Sequence, residues 1–235
     1  MAGVLWLLLP AAAAGAATWV VYFRWKDRAK PEPWTLQLAT VAVGALAVCA
    51  ALLGYRAVDA FGPVVSWEAL VGPWSRAVPA ALAIGVVEEA AKLLPVLPIA
   101  LVSKHFDELW DGPVYAGASA IGFALAETMM LAFSGELGLV DGLARALAAP
   151  ITHAVFAAPW GLGLAYFVLR RDGRALALGF VASAVAHGLY DLLLARPGLQ
   201  LAAAGVVLVV WLWMLWAARA LLAHPGGASG GSAGR

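Results

Sequence analysis

Seven apolar stretches of about 20 residues follow one another along the chain, each set off by a short polar connector. They cover residues 4–23, 34–54, 77–102, 113–133, 143–169, 175–194 and 199–218. About 20 apolar residues carry an α-helix through a hydrocarbon core roughly 30 Å thick. The pattern predicts an all-α, polytopic membrane bundle of about seven transmembrane helices. The last two stretches are parted only by Ala195, Arg196, Pro197 and Gly198, a tight-turn signal. The first stretch resembles a signal peptide, yet it lacks a basic leader and runs on into the stop-transfer sequence RWKDRAK, which predicts a retained span. The expected organisation is a membrane domain over 1–220, with its motifs in 77–194, and a disordered Gly/Ser-rich cytoplasmic tail over 221–235.

Composition supports that reading. Hydrophobic residues make up 63% of the chain and charged residues only 12%, against about 25% charged in a soluble domain. A water-soluble fold of this size could not hide so much apolar surface. A net charge of +1, with no local cluster of Lys or Arg, gives no argument for a nucleic-acid partner, and none is expected. The single cysteine, Cys49, builds neither a disulfide framework nor a thiolate metal cluster and reads as packing.

Orientation follows from the distribution of basic residues. With the N-terminus outside, the cytoplasmic side receives Arg24, Lys26, Arg28, Lys30, Lys104, Arg170, Arg171, Arg174, Arg219 and Arg235. The other side receives only Arg56, Arg76, Arg145 and Arg196. The expected location is a cell membrane, with the C-terminus cytoplasmic.

Ionisable side chains inside a bilayer cost about 2.5–3.5 kcal/mol each on insertion scales and mark function. Here they are confined to four consecutive spans: Glu88, Glu89 and Lys92 in the third, Glu127 in the fourth, His153 in the fifth, His187 and Asp191 in the sixth. At about 1.5 Å per residue, Glu88 lies roughly 17 Å below the outer end of its span, and Glu127 and His187 roughly 21 and 18 Å above the cytoplasmic ends of theirs. The groups converge on one level, shifted outward. Glu88 and Lys92 share a helix face at i, i+4; Glu89, about 100° away, could instead pair with Lys92 and leave Glu88 to chemistry. His187 and Asp191 are also four apart, so Asp191 could orient the imidazole. Phe123 stands one turn before Glu127.

Two imidazoles and a carboxylate form a common zinc set with one position left for water. Glu127, His153 and His187 are candidate ligands for a divalent metal, zinc by its chemistry, with Glu88 as base. A metal-free alternative has one buried Glu activating water while the histidines stabilise the oxyanion. Other protease signatures fail: there is no HExxH, no GxGD partner for Tyr190–Asp191, and the GxSxG at 227–231 is a product of the Gly/Ser-rich tail. Trp34, Trp110 and Trp160, near span ends, read as interfacial anchors.

The segments EEAAK (88–92), FALAE (123–127), ITHAVFAAPWGLGLA around His153 and HGLYD (187–191) resemble the PrsW family of bacterial membrane proteases, with its EExxK, FxxxE, His and HxxxD patterns in order on consecutive spans. That family is similar to the wider superfamily of CAAX prenyl endopeptidases and bacteriocin-processing proteins. The resemblance implies an intramembrane endopeptidase of glutamate or metallo type, cutting a membrane-anchored protein such as an anti-sigma factor on its extracytoplasmic side. It implies catalytic roles for Glu88, Glu89, His153 and His187, Glu127 as a ligand or polar partner, and Lys92, Asp191 and Phe123 as supporting residues. Two rival readings stand beside it. A proton- or ion-coupled transporter also needs intramembrane acids and histidines, and Pro95 and Pro98 could break the third span as transporters require. A non-catalytic immunity or scaffold protein would tolerate loss of Glu88 and both histidines.

Overall fold

The computed structural model describes residues 2–27, 30–62 and 65–223 and holds, among them, eight helices and no strand. These are α1 (Ala2–Lys26), α2 (Trp34–Phe61), α3 (Trp67–Val71), α4 (Trp74–Val102), α5 (Asp111–Ser134), α6 (Leu139–Arg170), α7 (Gly173–Leu194) and α8 (Gln200–Ala223). Residues 224–235, most of the expected tail together with its GxSxG, lie outside the described residues, as does Arg28. Helix α8 takes in the expected tail's first three residues.

Six of these helices are long and apolar enough to cross a membrane. The seventh long helix, α4, has 29 residues and differs in holding Glu88, Glu89 and Lys92 along its middle. Its burial explains how this is tolerated: the three side chains are 5%, 0% and 0% exposed. Large apolar side chains face outward instead, among them Leu46, Leu53, Leu94 and Val209. The polarity is that of a membrane protein, with charge inside and hydrocarbon outside. Helix α4 runs unbroken past Pro95 and Pro98, so the interrupted span that a transporter would favour does not form.

Local sequence sets the helix ends. Pro33 and Pro73 precede α2 and α4, where a fixed φ suits helix entry. Gly135, at φ 84°, closes α5 with the left-handed C-terminal geometry that glycine adopts without steric penalty. Asp172 caps α7 by accepting from the amides of Arg174 and Ala175. Helix α2 passes the expected end at 54 and continues to Phe61. The connector after it contains α3, which no apolar run announced; Ser66 caps it by accepting from the Ala69 amide.

Helices α5 and α6 pack against each other in the interior, and α2, α4 and α7 complete a ring with them. The α1–α2 and α4–α5 connectors meet at one end of the bundle through Lys30 and Asp107 at 2.5 Å. At the other end Arg196 donates to the Gly72 carbonyl at 2.8 Å and lies 3.7 Å over the Trp74 ring. The two ends are thus tied independently, and the ionisable groups lie between them.

Candidate active site

Close contact of α4 with α7 sets the centre. A Cβ on Gly85 would overlap the Ala184 carbonyl, and one on Gly188 would overlap that of Ala81. With no side chain at either position the backbones touch, bringing Glu88, one turn past Gly85, up to His187. Glu127 comes from α5 and His153 from α6, and Phe123, one turn before Glu127, lies 5.7 Å from the His153 ring.

Each imidazole has a carboxylate on one nitrogen. His187 Nδ1 is 2.7 Å from Glu89 Oε1, and His153 Nε2 is 3.2 Å from Glu127 Oε2. A carboxylate at one ring nitrogen holds the proton there and leaves a lone pair on the other. The nitrogens so freed, His187 Nε2 and His153 Nδ1, turn inward and stand 3.6 and 3.9 Å from Glu88 Oε2. Glu88 has its own outer partner: the Tyr55 hydroxyl donates to its Oε1 at 2.5 Å. Three acceptor atoms, each held from behind, therefore face one point.

That arrangement suits a cation. One donor atom each from Glu88, His153 and His187 lie within 4.8 Å of one another, and the 3.6 and 3.9 Å separations need little closure to reach the roughly 3.3–3.6 Å edges of a tetrahedral zinc site. The sequence placed Glu127 in this set; the fold puts Glu88 there and Glu127 behind His153. Lys92 Nζ already reaches the same ground, 2.9 Å from His153 Nδ1, 2.9 Å from Glu89 Oε1 and 3.4 Å from Glu88 Oε2, with the Phe123 ring 4.5 Å away. A metal ion at the point would take the His153 lone pair and turn Lys92 toward its two glutamates.

Other residues sit differently from their sequence-based placement. Asp191 Oδ2 is 3.6 Å from His187 Nε2, the inward nitrogen, whereas the outer nitrogen expected for it belongs to Glu89. Glu89 is fully buried and bonded to Lys92, His187 and the indole N–H of Trp160. Trp160 is therefore no interfacial anchor; it is 0% exposed and donates to Glu89 Oε2 at 2.8 Å. Three contributors were not read as part of the centre: Trp160, Tyr55 and Arg145. Trp160 lies seven residues after His153, on the same helical face, so its phase carried a signal. Tyr55 fell just past the expected end of its span. Arg145 counted as a loop charge, but its Nη2 stands 2.5 Å from Glu127 Oε2.

A cavity of about 620 Å³ reaches this centre, with Glu88, Glu127, Arg145, His153, His187 and Asp191 on its wall. It extends to Ser66 and Trp67 beside α3, and to Glu136 and Asp141 around the α5–α6 connector. Water thus has a route to acids and imidazoles buried between apolar helices.

A polytopic helical bundle with a carboxylate–imidazole centre opening on a cavity is the architecture of a membrane-embedded hydrolase. Residues 32–218 match the family described as PrsW family intramembrane metalloprotease, and the chain belongs to that family. Proteins named protease PrsW are similar to it. The one from Geobacillus kaustophilus (strain HTA426) is 29% identical over 189 residues, 80% of this chain and 79% of that protein. That from Clostridioides difficile (strain 630) is 30% identical over 138 residues, 56% and 57% of the two chains. That from Bacillus subtilis (strain 168) is 31% identical over 116 residues, 48% and 52%. The match thus spans little more than half the length of the last two relatives. No solved structure matches the chain.

Proposed function

We propose that this protein hydrolyses a peptide bond of a membrane-anchored, single-span protein, an anti-sigma factor being the type of substrate the family resemblance suggests. The observation that carries the reading is the convergence of His187 Nε2 and His153 Nδ1 on Glu88 Oε2, at 3.6 and 3.9 Å from it, on a water-accessible cavity. Glu88, His153 and His187 would hold a divalent ion, which when bound supplies the Lewis acidity that polarises a scissile carbonyl and acidifies water. Asp191, on the cavity side of His187, accepts the proton of the attacking water and passes it to the amide nitrogen as the C–N bond breaks. Glu89 and Glu127 hold the two rings in the tautomers that aim their lone pairs inward. Glu89, away from the cavity wall, acts through His187 and does not meet the substrate.

A second reading rests on Lys92. Its ammonium stands 2.9 Å from the lone pair a metal would use, so a metal-free centre would have Lys92 as its built-in cation and Glu88 as the base. The two readings separate on Asp191→Asn and Glu88→Gln in purified protein. The first predicts that Asp191→Asn keeps bound metal and loses turnover by a factor on the order of 10²–10⁴, while Glu88→Gln loses metal and turnover together. The second predicts full turnover after chelation. Undiminished cleavage by Glu88→Gln would refute both.

The cavity mouth lies at the end of the bundle formed by the α2–α4 and α5–α6 connectors. The opposite end carries Arg24, Lys26, Lys30, Lys104, Arg170, Arg171 and Arg174. The positive-inside rule then puts the mouth outside the cytoplasm and the N-terminus with it, in the cell membrane. Cleavage is expected on the extracytoplasmic flank of the substrate's span.

A further inference from the structure

We infer that Arg145 is a positioning residue of the reaction: its guanidinium holds the Glu127 carboxylate against His153 and so keeps the inward nitrogen of that ring turned to the centre. This rests on the proposed function. Arg145 stands on α6 eight residues before His153, about 12 Å along the helix toward the mouth, and lines the cavity together with Ala149, Thr152 and His153. Its Nη2 is 2.5 Å from Glu127 Oε2, and that same oxygen is 3.2 Å from His153 Nε2.

The charge is needed for a physical reason. Glu127 lies in an apolar helix and is only 18% exposed in its side chain. An unpaired carboxylate there is penalised by desolvation, and Glu88 and Asp191, two further carboxylates on this wall, add repulsion. Lys92 is engaged by Glu88, Glu89 and His153 Nδ1. Arg145 is the cation within contact distance of Glu127 among the described residues. Without it, Glu127 is stable only with a proton or turned to the cavity water. In either case His153 loses the carboxylate beside its Nε2, and only the Lys92 ammonium, 2.9 Å from Nδ1, is left to favour the tautomer whose lone pair faces Glu88. Arg145 would thus perform for His153, through Glu127, what Lys92 and Trp160 perform for His187 through Glu89. Each imidazole is backed by a carboxylate, Glu89 by buried donors and Glu127 by the half-buried guanidinium of Arg145.

The test uses full-length protein in lipid and has two arms. In the first, nitrogen NMR of histidine-labelled protein reads the His153 tautomer with no substrate present. Wild type and Arg145→Lys are expected to show the Nε2–H form, and Arg145→Gln and Glu127→Gln a mixture of both forms. In the second, cleavage is followed on single-span anti-sigma-factor segments of the host organism, fluorescently labelled on the extracytoplasmic flank. Arg145→Gln is expected to lower kcat by about 10–100-fold, the range for residues that support ligating histidines, with KM within twofold of wild type. Arg145→Lys should recover to within about fivefold, and Arg145→Gln combined with Glu127→Gln should be no worse than the poorer single variant, because both act in one chain of contacts. An unchanged tautomer in Arg145→Gln overturns the proposal, as does a rise in KM at constant kcat, which would make Arg145 a substrate contact. If Arg145→Gln does not fold, the double variant, which removes both charges, decides by the same two readouts. Glu88→Gln is the control: if it cleaves like wild type the reading of the centre falls, while the tautomer arm still judges Arg145.

Discussion

Removing the Lys92 ammonium should destabilise this protein more than most core substitutions, and the reason lies in what remains. In Lys92→Met the side chain keeps its approximate length and loses its charge, leaving Glu89 fully buried without its 2.9 Å partner and Glu88 without its 3.4 Å one. Trp160 and His187 still donate to Glu89, but neither carries a full charge in its neutral form. Breaking a buried ion pair by deleting one partner costs about 3–5 kcal/mol, because an uncompensated charge stays behind. For a chain of this size, 1 kcal/mol moves Tm by about 2–4 °C, so a fall of roughly 6–20 °C is expected. The double variant Lys92→Met with Glu89→Gln removes both charges and should regain much of the loss. The assay is thermal unfolding of the two single variants, the double variant and wild type in one lipid or detergent system, read as a double-mutant cycle. A double variant as unstable as the sum of the singles would refute the pairing, and a Lys92→Met protein as stable as wild type would refute the reasoning altogether.

Trp160→Phe removes the indole donor from Glu89 Oε2 while leaving the ring volume nearly intact; a loss of about 1.5–3 kcal/mol is expected for a hydrogen bond to a buried charged group, measured by the same unfolding assay. In the α1–α2 connector, outside the spans, burial pushes the Asp27 carboxyl up from 3.8 to about 6. The folded state therefore binds this proton more tightly than the unfolded chain, so the contribution is fully present below about pH 4 and is lost as pH rises toward 6. Hydrogen exchange at the Glu32 amide, which donates to Asp27 Oδ2 at 3.3 Å, should quicken over that interval relative to reference amides elsewhere, and Asp27→Asn should remove the extra dependence.

The amino-acid sequence by itself determined that this is a helical membrane protein and which helices carry its buried ionisable groups. Hydrophobic length is a local property, and an ionisable residue inside an apolar run stands out without reference to any neighbour. Glu88, Glu89, Lys92, Glu127, His153, His187 and Asp191 were all legible on that ground. Only the tertiary structure decided what each one faces. Spacing along a helix sets the angle at which a side chain leaves the axis but says nothing of which helix receives it. For that reason Glu88 took the place expected of Glu127 beside the imidazoles, and Glu89 took the nitrogen expected of Asp191. Arg145 had read as a charge outside the membrane and Trp160 as an interfacial anchor, and Tyr55 lay just past the expected end of its span, until the packing of α2, α5 and α6 turned all three inward. The glycine contact between α4 and α7 illustrates the cause: two residues more than 100 positions apart let two backbones touch, and that contact brings an acid to a base.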